Sequence, residues 1–334
     1  MSPDRREFTP PMRAVIHDSY GRAHKLKIED IARPTCGPDE VLVAVHSVSV
    51  NPYDWHNMTG TPLPVRLSGG LWRPKESRLG VDVAGVVEGV GTNVSRFKVG
   101  DKVFGFADGC FAEFVCAKAN ELTEMPDNMS FDEASAVPVA ALTALQGLTK
   151  HGGVTADQHV LINGASGGVG TFAVQIAKSL GAQVTGVCGP TNGDMVKSLG
   201  ADQVIDYTKA DFTQNRDAYD VVLDNMGNKT MSGYKNCLKP GGKLVVVGGR
   251  KGVVLGPVAH MLKALLAFKF GSYQAAVFIA DRLEEDMAKI TELLASGALK
   301  PVIDQTYPFE QIRDAIAHLE TGRARGKIIV QLVG

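Results

Sequence analysis

Hydrophobic positions change their spacing along this chain. From Met12 to about Glu133 they fall in short runs at 13–17, 41–50, 83–90 and 111–115, rich in β-branched or aromatic residues and bounded by Gly, Pro, Asn or Asp. Closely spaced strands of a barrel carry that pattern. From 132 to 150 the apolar residues recur at helical spacing in an alanine-rich stretch, broken once by Pro138, so a domain boundary is expected near Ser130.

The pattern then becomes apolar run, turn, helix. The run at 160–163 leads into GASGGVG at 164–170 and then a segment with apolar residues at 172, 173, 176, 177 and 180. Four more apolar runs follow at 183–188, 203–207, 220–226 and 243–249, with helix-length segments between most of them. Fully apolar strands joined by helical crossovers predict an open parallel sheet, so the fold class is α/β with a β-rich first unit. A glycine turn between strand and helix places free N–H groups and the positive end of a helix dipole where a pyrophosphate binds. The first glycine of the usual G-x-G-x-x-G spacing is Ala165 here, with Gly167 and Gly170 in the other two places, so context carries the reading. Beyond 281 an amphipathic helix to about 296, a strand at 299–307, a helix at 310–320 and a strand at 327–333 are expected; pattern alone leaves open which sheet those strands join.

Composition narrows the function. With 35 Lys and Arg against 36 Asp and Glu, the net charge of −1 gives no general footprint for nucleic acid. The five cysteines, 36, 110, 116, 188 and 237, are scattered and odd in number, which reads as thiols in a reducing, cytoplasmic setting. The first dozen residues lack the apolar core of a signal peptide and are expected to be a disordered tail. The most apolar region, 253–280, is interrupted by His260, Lys263 and Lys269, which excludes a membrane span and leaves a buried helix or a subunit interface.

Several separated motifs resemble one family. They are NPYD at 51–54, GVDVAG at 80–85, FKVGDKVF at 97–104, PVAALTA at 138–144, the glycine turn, LGADQVIDY at 199–207 and GK at 326–327. As a set they resemble the medium-chain dehydrogenase/reductases, in the zinc-independent quinone oxidoreductase-like branch. The resemblance implies a GroES-like β-barrel domain over 1–133 and 276–334, which settles the C-terminal strands, and a Rossmann domain with a doubly wound parallel sheet over 134–275. It also implies a nicotinamide cofactor in the cleft and a homodimer.

Zinc-using relatives carry a cysteine where this chain has Asn51 and a histidine where it has Val81, and no ligand stands near Pro138, so no metal is expected. Without a Lewis acid, simple ketones are poor substrates, whereas quinones and α,β-unsaturated carbonyls accept hydride at a conjugated carbon. The expected function is NADPH-dependent reduction of such an apolar quinone or enone. The alternatives are a metal-free NADP-dependent alcohol dehydrogenase or carbonyl reductase, and an NADPH-binding protein with little turnover.

By the resemblance, Asn51 is a candidate donor to substrate or nicotinamide ribose, and Asp54 organises its loop or acts as a cap. Tyr53 donates to an enolate oxygen or packs on the cleft wall, and His56 is a proton source or a surface histidine. Met58 stands where many relatives have an arginine, and the apolar side chains of 61–72 line or cover a pocket or join an interface. Thr143, Val247, Gly248, Gly249 and Lys327 are expected at the nicotinamide side, Ser166, Gly167, Gly168 and Val169 at the pyrophosphate, and Asn225 and Gly227 by the adenosine. The acidic residue that holds the ribose of NAD is replaced by Cys188. Thr191, Asn192 and Tyr207 offer donors to a 2′-phosphate, which favours NADPH.

Overall fold

The computed structural model describes residues 10–249 and 256–332. Most of the expected N-terminal tail (1–9), the start of the 253–280 region and position 333 of the last strand lie outside the described residues.

The first unit contains β1 (Met12–Ile16), β2 (Lys27–Ile31), β3 (Glu40–Val50), α1 (Pro52–Thr59), α2 (Val65–Gly69), β4 (Asp82–Val90), β5 (Lys102–Phe106), β6 (Phe114–Lys118) and β7 (Leu122–Glu124). The short helix α3 (Phe131–Ser135) opens with a capping box in which Ser130 and Glu133 satisfy each other's backbone N–H groups. Helix α4 (Pro138–Gln146) starts with proline in the first turn, where its missing N–H costs nothing, and runs on into a π-helical turn at Gly147–Gly152.

The second unit follows as β8 (His159–Asn163), α5 (Gly168–Ser179), β9 (Gln183–Cys188), α6 (Gly193–Ser198), β10 (Gln203–Asp206), β11 (Tyr219–Asp224), α7 (Met231–Cys237), β12 (Leu238–Val246), α8 (Gly256–Ala267) and β13 (Gln274–Val277). Helix α9 (Glu284–Ala295) packs on α4, and the chain ends with β14 (Ile303–Pro308), α10 (Ile312–Glu320) and β15 (Lys327–Gln331).

Strands β8 to β13 form a six-stranded parallel sheet in the order β10-β9-β8-β11-β12-β13. Its order reverses between β8 and β11, the switch point at which a crevice opens beyond the strand ends. Alternate residues feed two cores. Val160 and Ile162 pack with Phe172, Ala173 and Ile176 of α5, whereas Leu161 packs with Tyr234 and Ala264 on the opposite face. Burial on both faces explains why these strands read as unbroken apolar runs.

The second sheet has the order β14-β15-β3-β4-β5-β7, with β6 also paired to β3. The pairing of β15 with β3 is antiparallel and places Ile328 opposite Val50. The C-terminal strands thus return to the first unit, as the resemblance implied. Val81, Ala84, Phe104 and Phe106 pack with Val137, Ala140 and Ala141, so one apolar core spans the two units.

Three expectations change. Cys36 and Cys116 form a disulfide across 80 residues, while Cys110, Cys188 and Cys237 are buried thiols. Reading all five as thiols is corrected, and the argument for a cytoplasmic setting goes with it; the pairing of Leu42 with Cys116 on β6 brings the second sulfur to the loop before β3. The fourth barrel run lies three residues later than expected, at β6; Phe111 and Ala112 are buried just before it, with Ala112 bridged to Ala14 of β1. Helix α8 is no buried helix: only Ala264 is fully buried, and Leu262, Leu265 and Leu266 are exposed. Among the described residues no helix is long and apolar enough to cross a membrane.

Candidate active site

Asn51 ends β3 and caps α1. Its backbone N–H donates to Asp54 Oδ2 at 2.8 Å, and Pro52 fills the first helical position. Asp54 is fully enclosed and its other oxygen accepts from the Gly80 N–H at 3.2 Å. Burial pushes this carboxyl up to about 7 against the pull of the two amide donors. Asp54 thus caps α1 and holds the Gly80 amide beside it.

The Asn51 side chain lies in a buried polar network that pattern reading missed. Asp82 Oδ2 accepts from Ser49 Oγ at 2.7 Å, Asn51 Nδ2 at 2.9 Å and Lys327 Nζ at 3.2 Å. Asp82 Oδ1 accepts from the Val139 N–H at 3.0 Å, which ties the start of α4 to β4. Lys327 Nζ also donates to Asn51 Oδ1, and the Lys327 side chain is 4% exposed. The only local signal for Asp82 was its place inside the GVDVAG motif.

The glycine turn joins this network through backbone. The Gly326 N–H donates to Ser166 O at 2.9 Å, Gly167 and Gly326 form a parallel bridge, and the stem of Lys327 passes Gly168. Gly326 has φ +89° and a Cβ there would lie 2.1 Å from Val302 O, so only glycine fits. Gly170 meets a similar demand, since a Cβ would lie 2.1 Å from Gly164 O where α5 crosses β8. Val169, Gly168 and Gly167 form the start of α5, whose first-turn N–H groups have no intrahelical acceptor.

Around the crevice, Asn192 Nδ2 donates to Ser166 Oγ at 3.2 Å and Thr191 Oγ1 to Asn192 Oδ1 at 3.3 Å. Cys188 is buried, with its thiol pushed up by burial and by nearby Asp206, and Tyr207 is exposed with its ring over Gly189. Asp206 pairs in register with Cys188; it went unnoticed in sequence, and its carboxyl is held low by the Thr208 hydroxyl and N–H.

At the end of β11, Asp224 accepts from Asn163, Tyr234, His260 and the Gly227 N–H. Burial opposes ionisation there, yet these donors hold its carboxyl low. Val247 and Gly248 donate to its carbonyl, and Gly249 packs by Pro257. The Asn225 side chain stands between these segments with both amide atoms buried and without a partner. A buried amide without a partner is costly, so an incoming ligand that pairs with it gains. Thr143 lies on α4, half-buried, with Oγ1 on Val139 O.

A cavity of about 340 Å³ opens beside the NPYD loop, lined in part by Tyr53, Asp54, Asn57, Gly80, His17 and Arg78. Tyr53 is 53% exposed at its wall. The 61–72 segment contributes Ser68, with Gly69 beside it, while Leu63, Leu67, Leu71 and Trp72 are exposed. His56 does not reach the Asn51 network: its Nδ1 bonds Thr61 O, closing the turn after α1. That contact fits the alternative of a hydrogen-bonded structural histidine. Met58 is buried in the core of the first unit.

A GroES-like barrel joined to a dinucleotide-type sheet defines a class of nicotinamide-dependent dehydrogenases, and the comparisons agree. Residues 37–127 match the alcohol dehydrogenase GroES-like domain, and 199–330 the zinc-binding dehydrogenase model. The chain is 35% identical to the human mitochondrial NAD(P)H oxidoreductase RTN4IP1, covering 96% of this chain and 89% of that one. It is 34% identical to the 2-methylene-furan-3-one reductase of Solanum lycopersicum, covering 96% and 79%. The solved structure of Escherichia coli quinone oxidoreductase complexed with NADPH superposes with a TM-score of 0.81 at 25% identity, covering 96% of this chain and 100% of that one. The chain belongs to the medium-chain dehydrogenase/reductase superfamily, in its quinone oxidoreductase-like branch.

Proposed function

We propose that this protein is a zinc-independent, NADPH-dependent oxidoreductase that reduces quinones or α,β-unsaturated carbonyls. The observation that carries the reading is the Lys327–Asn51–Asp82 network. An ammonium already satisfies the oxygens of Asn51 and Asp82, and Val81 is an apolar core residue, so this corner lacks the three-ligand set that zinc needs. The names of the relatives, an NAD(P)H oxidoreductase, a furanone reductase and a quinone oxidoreductase with NADPH, support the same class.

The residues present fit the cofactor. The N–H groups of Gly168 and Val169 at the start of α5 would receive the pyrophosphate with Ser166, beside Gly167, whose own N–H is held by Gly164 O, and the amide of Asn225 would be paired beside Gly227. Thr191, Asn192 and Tyr207 would hold a 2′-phosphate near Cys188, while Thr143, Val247, Gly248, Gly249 and Lys327 would bound the nicotinamide side. When bound, NADPH supplies the hydride. Asn51 is fixed by Lys327 and Asp82 so that it orients rather than titrates. Tyr53 Oη, on the cavity wall, donates to the oxyanion that develops on the substrate.

A homodimer belongs to the same proposal. Strand β13 is an edge of the parallel sheet, and Leu266, Phe270 and Ile279 are exposed near it at 71%, 79% and 90%. An uncovered edge beside an apolar patch is suited to a second copy.

The decisive experiment measures NADPH and NADH oxidation with quinones, enones and aldehydes, with metal analysis of the same sample. Turnover of quinones or enones with NADPH in metal-free protein is expected. Stoichiometric zinc, activity confined to simple alcohols, or no turnover would overturn the reading, and an NADH preference would remove the role given to Cys188.

A further inference from the structure

The cavity beside Tyr53 holds groups that hydride transfer alone leaves unused. Arg78 lies half-buried in its wall, packed over Gly109, and its guanidinium makes no hydrogen bond or ion pair among the described residues. The bridge between Ile16 and Arg78 sets His17 beside it. His17 is 3% exposed; both its backbone N–H and its Nδ1 meet Ser77 O at 2.8 Å. A carbonyl only accepts, so Nδ1 carries a proton. Nε2 is buried and has no partner.

Nearby acids do not neutralise Arg78. Asp108 is engaged by Arg282 at 2.7 Å, Asp54 is enclosed and held by the amides of Asn51 and Gly80, and Glu76 is exposed at the rim with Lys75. A half-buried guanidinium without a counter-ion is completed most directly by a carboxylate, which it receives through paired N–H donors. The unpartnered Nε2 of His17 lies buried in the same wall.

We propose that this cavity selects activated alkenes or quinones that carry a carboxylate, with Arg78 as the recognising side chain. The inference rests on the reductase reading of this site and names its substrate class. It differs from the apolar substrate expected from 61–72, whose large apolar side chains are exposed.

The test compares 4-oxopent-2-enoate with its methyl ester as oxidants of NADPH, in wild type, R78Q and R78K. The wild type is expected to favour the acid by about tenfold in kcat/KM, and R78Q to raise its KM about tenfold while leaving the ester within about twofold. R78K retains part of the preference. Where p-benzoquinone is reduced but the enoate and its ester are not, the saturated acid 4-oxopentanoate is expected to raise the melting temperature of wild type and R78K with NADPH, but not of R78Q, and an equal rise in R78Q overturns the inference. An ester used as well as the acid, or R78Q affecting both alike, overturns this inference and leaves the reductase reading standing. Failure with acid, ester and p-benzoquinone overturns both.

Discussion

Replacing Asp82 by Asn tests whether the Lys327 network is a coupled unit. Asp82 Oδ2 receives three donors and Oδ1 one, so an amide must turn its NH2 toward at least one donor. The favoured orientation keeps the oxygen on Ser49, Asn51 and Lys327 and opposes NH2 to the Val139 N–H. The Lys327 ammonium then stays buried without a counter-charge. Breaking such a pair costs about 3–5 kcal/mol, and K327M should cost a similar amount by stranding the carboxylate. In D82N/K327M both charges are gone and the remaining penalties are the opposed Val139 amide and the Asn51 Oδ1 that loses its donor, about 1–3 kcal/mol each and each already present in one single variant. The double variant should therefore be at least about 2 kcal/mol more stable than the sum of the single losses predicts. Urea unfolding of the cofactor-free protein reads this directly. With a slope of about 3 kcal/mol/M each single variant shifts the midpoint down by about 1–1.7 M. Single losses below about 1 kcal/mol, or strictly additive ones, would refute the reasoning.

Other outcomes follow from single features. Asp54 has a folded pKa raised to about 7, so the stabilisation fully present below its unfolded pKa near 4 is lost as pH rises through 7. Wild type should lose stability over that window, on the order of a few kcal/mol, and the slope should vanish in D54N; an unchanged slope would show that another group titrates. Tyr53→Phe should lower kcat about tenfold, one hydrogen bond's worth, and unaltered turnover would remove Tyr53 as donor. Peptide mapping without reductant should find Cys36 linked to Cys116, and C36S/C116S should lose roughly 2–4 kcal/mol; ready native alkylation of both cysteines would contradict the bond. L266D/F270D should sediment as a monomer where wild type is a dimer, and a wild type monomeric at micromolar concentration would sink the β13 interface.

The parallel sheet was legible because its strands are apolar on both faces and each ends at a turn. Strand β2 was not, since Lys27, Glu29 and Asp30 leave no apolar run, and β13 is only Gln274–Val277 inside a longer apolar region. The site was legible where motifs are contiguous, at NPYD and the glycine turn. Lys327 lies 276 residues from Asn51 and 245 from Asp82, so its contacts depend on how β15 returns to β3 and no local pattern encodes them. The same holds for the disulfide, which sheet register creates, and for Arg78, whose importance lies in partners it lacks.

The backbone link from Ser166 through Gly326 to Lys327 has a thermodynamic consequence. A ligand that orders the glycine turn also restrains the residue whose ammonium holds Asn51. The two binding events are then linked by a coupling free energy, and reciprocity requires cofactor to tighten substrate by the factor with which substrate tightens cofactor. Affinity for NADPH measured with and without a non-reducible substrate analogue gives that factor. K327M should bring it toward one.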